Sequence, residues 1–305
     1  MMVLSEFRSR WKRLVDTPAV SWLSDEGVVF LDRRDIPWSL KRTEARSMKE
    51  LAGFLALKAV DGWPAYMAAV QLRMLKGVES QPAGVNNVFY EAALKQVADD
   101  ELKLLEKTMS WRALCTSVAA EKCEGTVLLA DDLYGDLVLL AEALSRAGGR
   151  CKFLVAENRP FLQGSRIASW VLVKNGFDTT VITDNAVGYV AWKKMVDTVL
   201  VEAAAATESG EFVVPAGGYQ TAVVCSENNV KVVVLLYPFR LKNLTTAETE
   251  SKHVLVYRGK YITSPDLKTY HTDYDLVEPS YVSEVITPFG VYSSAKKAVE
   301  DVANA

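Results

Sequence analysis

This sequence has few histidines and cysteines and no long apolar run. Its 305 residues include only two histidines and four cysteines, and no two cysteines have C-x-x-C spacing. We therefore expect no structural zinc site and no metal or other cofactor. No apolar run reaches the roughly 20 residues that a membrane-spanning helix needs, and the charged N-terminus lacks the apolar core of a signal peptide. We expect a cytoplasmic protein with no membrane partner.

Strong charge of either sign is also missing. The formal net charge is −3, and the densest basic stretch, residues 8–13, is best interpreted as a solvated helix face. Nucleic-acid binding therefore has no support from composition. Half of the residues are hydrophobic, which is enough for a sizeable core. The four cysteines lie in apolar segments, and we expect them to be buried, reduced thiols.

The first third of the chain carries mainly helical patterns. We predict a short amphipathic helix over 1–17, one or two strands within 20–37, helical structure over 41–75, and mostly helical structure over 86–122. Ser47 precedes a run of good helix formers and is a candidate N-cap. This region, 1–122, is predicted to be a small, mainly helical domain with a short strand pair.

From Thr126 onwards, apolar runs of four to seven residues alternate with helical stretches. Strands are predicted at 127–130, 151–156, 180–183, 198–203 and 230–236, and helices at 134–147, 163–174, 186–195 and 217–226. This alternation indicates an α/β domain over 123–305 with a parallel sheet covered on both faces. Ligands of such sheets bind beyond the carboxyl ends of the strands. No G-x-G-x-x-G follows the first strand, so a dinucleotide site is not predicted.

Four segments carry a family resemblance. The most specific, 157–166, resembles the E-x-R-P-x-x-Q-G-x-R signature of methylthioribose-1-phosphate isomerases, and 183–190 is similar to the alpha subunit of translation initiation factor 2B. Segment 31–37 resembles the isomerases' L-D-Q-R-x-L-P, and 274–291 resembles the closing segment of the 2B subunits. The chain is therefore identified as a member of the family that joins these isomerases to the alpha, beta and delta subunits of factor 2B.

The resemblance implies a helical N-terminal domain followed by a Rossmann-like α/β domain, and a homodimer formed through the latter. It also implies possible hetero-oligomers with family paralogues and a sugar-phosphate or nucleotide ligand. The candidate ligand-binding residues that it provides are Arg159, Gln163, Gly164, Arg166, Asp184 and Gly217. Structural roles are the alternatives: Arg159 pairing with a neighbouring acid, and Asp184 capping a helix or lying at the dimer contact.

The catalytic pair of the isomerases is missing. The family uses a cysteine after the first α/β strand and an aspartate after a later strand to convert an aldose 1-phosphate to a ketose 1-phosphate. Here the cysteine position is Asp131 and the aspartate position is Ala204. The family's later Asn-Lys pair aligns with Val214-Pro215 in this sequence. The family's Arg-Gly-Ala loop, which helps to hold the phosphate, aligns with Asp61-Gly62-Trp63, and Asp61 would repel a phosphate.

Two interpretations of this altered site stay open. Asp131 and Glu202 could form a rebuilt acid/base pair, because carboxylates can move protons in sugar-phosphate isomerisation. Alternatively, Asp131 and Asp132 cap the next helix and Glu202 is solvated at a strand end. The leading hypothesis is a non-catalytic binding or regulatory protein of the factor 2B type. An isomerase with a rebuilt pair is the alternative, and a structural partner of an active paralogue is a third.

Overall fold

A computed structural model describes residues 22–24, 26–57, 59–60, 62–79, 88–207, 209–238, 248–249, 252–257 and 259–304. The chain forms two compact units that divide between Ser110 and Trp111. The sequence-based boundary at 122/123 lies at the end of the long helix that crosses this division. The predicted helix over 1–17 and the Asp61 position lie outside the described residues. Within those residues, no helix is both long and apolar enough to span a membrane.

The first unit combines a small antiparallel sheet with helices. Its elements are β1 (Trp22–Leu23), β2 (Val28–Leu31), β3 (Arg42–Ala45), α1 (Met48–Ala56), α2 (Gly62–Glu79) and the start of α3 (Val88–Lys122). The prediction of helix from residue 41 is wrong for β3, because those residues pair with β2 in the register Val28 to Ala45. The predicted cap is confirmed: the Glu50 N–H donates to Ser47 Oγ at 3.2 Å, where α1 begins.

The second unit is an α/β domain. Its strands are β4 (Thr126–Leu129), β5 (Lys152–Ala156), β6 (Thr179–Ile182), β7 (Thr198–Ala203), β8 (Ala205–Ala206), β9 (Phe212–Pro215), β10 (Lys231–Leu236), β11 (Glu248–Thr249), β12 (Val256–Tyr257), β13 (Lys260–Tyr261), β14 (His271–Thr272), β15 (Tyr274–Val277), β16 (Glu284–Thr287) and β17 (Gly290–Tyr292). Its helices are α4 (Leu137–Ala147), α5 (Ser169–Lys174, after a π-helical turn at Gly164–Ala168), α6 (Val187–Trp192), α7 (Gly218–Glu227) and α8 (Ala295–Ala303).

Seven strands form the main sheet in the order β17-β16-β10-β7-β4-β5-β6. All neighbours are parallel except β16 and β17, which confirms the predicted parallel sheet. Successive strand residues point to opposite faces, so each strand contributes to two apolar clusters. Leu129 and Leu235 belong to one cluster, and Leu128 and Leu236 belong to the other. Helices therefore cover both faces, as the continuous apolar runs predict.

A second, smaller sheet in this unit was not predicted. It joins β15, β9 and β8 in antiparallel register, with Asp275 opposite Val214. The sheet places β15 beside the start of α7, at the carboxyl edge of the main sheet. Strands β16 and β17 were also missed. These strands were missed because they are short. In addition, β9 pairs with β15, which lies about 60 residues later in the chain, so no local pattern links the two.

Candidate functional site

The carboxyl ends of β4 and β7 bring two acidic residues to the same edge of the sheet. Leu129 of β4 pairs with Leu200 of β7, and Asp131 and Glu202 each follow two residues later. Because neighbouring strands are parallel, this register brings the two carboxyl groups to one level. The Asp131 carboxylate lies close enough to Glu202 for its negative charge to raise the pKa of Glu202.

Asp131 is buried, with 2% of its surface exposed. Its Oδ1 accepts a hydrogen bond from the Leu133 N–H at 2.6 Å, at the start of a short 3₁₀ turn. Burial, aided by repulsion from Asp132, raises the pKa of Asp131 to about 7, although the Leu133 N–H opposes the rise. The side chain therefore titrates near neutral pH, where an acid/base group is most useful.

Glu202 is 3% exposed, so the expectation of a solvated strand end is wrong. Burial raises the pKa of Glu202 well above its usual range, and repulsion from Asp136, Asp131 and Asp132 adds to the rise. The nearby Arg112 opposes these effects. The environment therefore favours the protonated form of the Glu202 carboxyl, and in that form the carboxyl can donate a hydrogen bond.

A buried ion pair lies beside this carboxyl pair. The Arg112 guanidinium of α3 pairs with Asp136 Oδ1, and the Tyr237 hydroxyl donates to Asp136 Oδ2 at 2.5 Å. No more than 5% of any of the three residues is exposed. Sequence analysis did not identify this triad, because its members lie 24 and 101 residues apart and share no local pattern. Together with Asp131, Asp132 and Glu202, it forms what we term the acidic cluster.

Two oxygens of the acidic cluster are left for another partner. Asp131 Oδ2 and Glu202 Oε2 are buried and accept no hydrogen bond from the described residues. Unpartnered buried oxygens are uncommon and call for an explanation, such as a shared proton, an ordered water or a ligand hydroxyl. Chemically, two such acids can exchange a proton with a small polar molecule. No group of His, Cys, Asp and Glu in the described part of the chain has the arrangement of a metal site.

Asp184 organises the signature loop instead of capping its own helix. Its Oδ1 and Oδ2 accept the N–H groups of Asn158 and Arg159, each at 2.7 Å. The Asn158 amide donates to the Ala130 and Ala216 carbonyl oxygens at 3.3 and 3.2 Å. Asn158 thus ties the end of β4 to the turn before α7. Sequence reasoning missed it because it occupies the variable second position of the signature.

The other signature residues divide between backbone contacts and packing. The Arg159 guanidinium donates to the His253 and Val254 carbonyl oxygens at 3.2 and 3.4 Å. Arg166 Nη1 donates to the Phe161 carbonyl oxygen at 3.4 Å. Gln163 is half-buried at the start of the π-helical turn. The buried Gly164 packs directly on β5, close to the Ala156 carbonyl oxygen.

Gly217 lies at the amino-terminal end of α7, with φ of 92°. Its N–H and that of Tyr219 donate to Asp275 Oδ2 of β15, at 2.8 and 3.1 Å. A carboxylate of the chain itself thus occupies the position in which an anionic ligand would meet these amides. The structure therefore brings Asp131 and Glu202 together and places Gly217 in a separate, internally satisfied contact.

Comparison with known proteins agrees with this architecture. The chain is 25% identical to the methylthioribose-1-phosphate isomerase of Koribacter versatilis, over 89% of this chain and 92% of the relative. It is 27% identical to that of Fervidobacterium nodosum, over 66% of this chain and about 62% of that relative's length.

Two solved structures share the fold. The delta subunit of translation initiation factor eIF-2B from A. fulgidus superposes with a TM-score of 0.73 and 21% identity, over 94% of this chain and 99% of the subunit. The 5-methylthioribose 1-phosphate isomerase from Pyrococcus horikoshii gives 0.72 and 19%, over 96% of this chain and 98% of the enzyme. Residues 87–294 match the initiation factor 2 subunit family. The chain therefore belongs to the initiation factor 2 subunit family, whose relatives include the methylthioribose-1-phosphate isomerases.

Proposed function

We propose that this protein is a non-catalytic binding or regulatory member of its family, acting in the manner of a factor 2B subunit. One observation carries the proposal: Asp131, which the resemblance aligns with the isomerases' cysteine, is 2% exposed and already accepts a hydrogen bond from the Leu133 N–H. The same resemblance aligns their aspartate with Ala204, which has no ionisable group. On this alignment, both side chains that carry the isomerase reaction are absent.

Burial of the nearest substitutes supports the same proposal. A substrate carbon must come within hydrogen-bond reach of the group that takes its proton. Glu202 is 3% exposed, so a substrate would reach it only after the surrounding structure opened. In this proposal the protein works as a cytoplasmic homodimer, or in mixed oligomers with family paralogues, and a sugar phosphate or nucleotide is the small molecule that it senses.

The test is to measure turnover, binding and assembly on the same purified full-length chain. Methylthioribose 1-phosphate and ribose 1,5-bisphosphate are incubated with the protein, and ketose formation is followed by NMR. Calorimetry with these compounds and with purine nucleotides measures binding, and light scattering measures the oligomeric state. We expect a dimer, binding of one of these compounds, and no ketose above the uncatalysed background. Ketose formation would contradict the proposal.

An isomerase with a rebuilt acid/base pair is the second candidate. It is favoured by one specific observation: Asp131 and Glu202 both have raised pKa values and each keeps a buried oxygen without a hydrogen-bond donor among the described residues. In such an enzyme, Asp131 would remove the proton and the protonated Glu202 would assist ring opening. Both residues would then act within one water-poor site.

Isosteric variants separate the two candidates. Asp131→Asn and Glu202→Gln keep the shape of the side chain and remove its ability to exchange a proton. Under the second candidate, either change abolishes ketose formation while ligand binding persists. Under the first, there is no turnover to lose. Asp266→Asn, at an exposed carboxyl, is the matched control.

A further inference from the structure

A surface segment in the last quarter of the chain is closed at its base and holds its own shape. Strands β11 and β14 pair antiparallel at the base, and residues 252–257 and 259–270 lie between them. Within these residues, which we term the strap, β12 pairs with β13. Lys252 Nζ donates to the carbonyl oxygens of Pro265 and Leu267 at 3.1 and 3.0 Å. The strap can therefore move about its base as one unit and keep its internal hydrogen bonds.

The strap is attached to the signature loop through Arg159. The guanidinium donates to the carbonyl oxygens of His253 and Val254, and both hydrogen bonds come from the same nitrogen, Nη2. Both acceptors lie at exposed positions, and Leu255 is the one buried residue among the described residues of the strap. Little apolar burial holds the strap in place, so its attachment depends on a small number of contacts with the signature loop.

Phe161 of the signature loop contacts both histidines of the chain. The centre of its ring lies 5.2 Å from that of His253, in the strap, and 5.8 Å from that of His271, in β14. Strand β14 has a further anchor, because the Ala216 N–H donates to the carbonyl oxygen of Asp273, just beyond the strand, at 3.1 Å. His271 therefore marks the fixed base, whereas His253 marks the strap.

The hydrogen bonds from Arg159 to the strap compete with those that an anion would accept. The two carbonyl oxygens are neutral, and a phosphate oxygen is a stronger acceptor for a guanidinium. A phosphate binds a guanidinium through two adjacent N–H groups, either those of Nε and Nη2 or those of Nη1 and Nη2. Both arrangements need Nη2, the nitrogen that holds the strap. A phosphate bound in this way therefore displaces at least one strap carbonyl.

We propose that Arg159 is the latch of the strap, and that a phosphate-bearing ligand opens the latch by taking Nη2. With the latch closed, His253 stays on the Phe161 ring. With the latch open, the strap swings about the paired β11 and β14, and His253 leaves the ring. The strap carries Tyr257 and Tyr261, both more than half exposed, so ligand binding changes the outer surface of the protein. The inference rests on the proposed function for the phosphate-bearing ligand, whereas the latch itself does not depend on it.

NMR of the full-length protein with isotope-labelled histidine tests the latch, because the chain has two histidines and both contact Phe161. Spectra are recorded at pH 8, where histidine is ordinarily neutral, and His253→Gln assigns the two imidazole signals. Arg159→Met removes the donor to the strap. We expect this variant to move the His253 signal towards that of a histidine in a short peptide and to leave the His271 signal in place. Arg150→Met, at an exposed position, is the matched control and should change neither signal.

Opening by a ligand is measured on the wild-type protein with inorganic phosphate and with ribose 1,5-bisphosphate, against sodium chloride at equal ionic strength. Either compound should move the His253 signal as Arg159→Met does, and neither should move it further in that variant. An unmoved His253 signal in Arg159→Met, or a joint shift of both histidines, would overturn the latch. A shift in the variant but with neither compound would overturn opening by a phosphate. If Arg159→Met does not fold, the wild-type titration decides alone. Ketose formation would contradict the proposed function and leave these signals unaffected.

Discussion

Asp131 and Glu202 stand side by side at the ends of β4 and β7, two residues beyond the registered pair of Leu129 and Leu200. Each is nearly inaccessible to solvent, and each has a raised pKa because burial penalises its charged form. Two carboxyl groups held this way favour protonation, and this links the stability of the fold to pH.

The first prediction concerns the pH dependence of stability. Folding raises the pKa of Asp131 from 3.8 to about 7, so the ionised form is disfavoured in the folded state. The contribution of Asp131 to the free energy of unfolding is therefore constant below pH 4 and falls as pH rises from 4 to 7. The fall is at most about 4 kcal/mol, at 1.4 kcal/mol per pKa unit. Asp131→Asn should be more stable than the wild type at pH 8, with a shallower pH profile.

Urea unfolding at pH 5, 6, 7 and 8 measures this profile. Glu202 still titrates in the single variant, so some decline with pH should persist and should shrink further in Asp131→Asn/Glu202→Gln. Asp266→Asn, at an exposed position, should follow the wild-type curve. If Asp131→Asn were less stable than the wild type at pH 8, its ionised carboxylate would be stabilising and our interpretation would be wrong.

The main sheet was predictable from sequence because apolar runs and helix lengths are local properties. The surroundings of Glu202 were not predictable, since a glutamate at a strand end is usually solvated. The residues that share its electrostatic environment, Arg112 and Tyr237, come from distant parts of the chain, so no local pattern reveals them. The motif likewise identified Asp184 but not its partner Asn158, whose role depends on carbonyl groups at 130 and 216.

The second prediction tests the buried ion pair through the Tyr237 hydroxyl. Tyr237→Phe removes the donor to Asp136 Oδ2 at a buried site, so the free energy of unfolding should fall by about 1–3 kcal/mol. Tyr292→Phe is the matched control, because its hydroxyl donates to Asp301 at 2.7 Å near the surface. Water can replace that donor, so the loss should stay within about 0.5 kcal/mol. Chemical denaturation at pH 7 measures both, and equal losses would contradict a buried network.

The third prediction separates packing from ligand contact at the signature glycine. A Cβ on Gly164 would lie 1.9 Å from the Ala156 carbonyl oxygen, so Gly164→Ala forces the π-helical turn away from β5. We expect a loss of about 1–3 kcal/mol from this overpacking. In α1, a Cβ on Gly53 would meet no atom within 4 Å. Gly53→Ala should therefore raise the free energy of unfolding by about 0.5–1 kcal/mol, because alanine has the higher helix propensity.

Thermal and urea unfolding of the two alanine variants, with calorimetry for any ligand found, distinguish the two roles of Gly164. If Gly164→Ala is destabilised but still binds the ligand at a temperature where it is folded, the glycine is required by the close contact with β5. Unchanged stability with lost binding would instead mean that the signature glycine serves the ligand. Opposite signs of the stability change at Gly164 and Gly53 are expected, because the same added methyl group meets a carbonyl in one helix and solvent in the other.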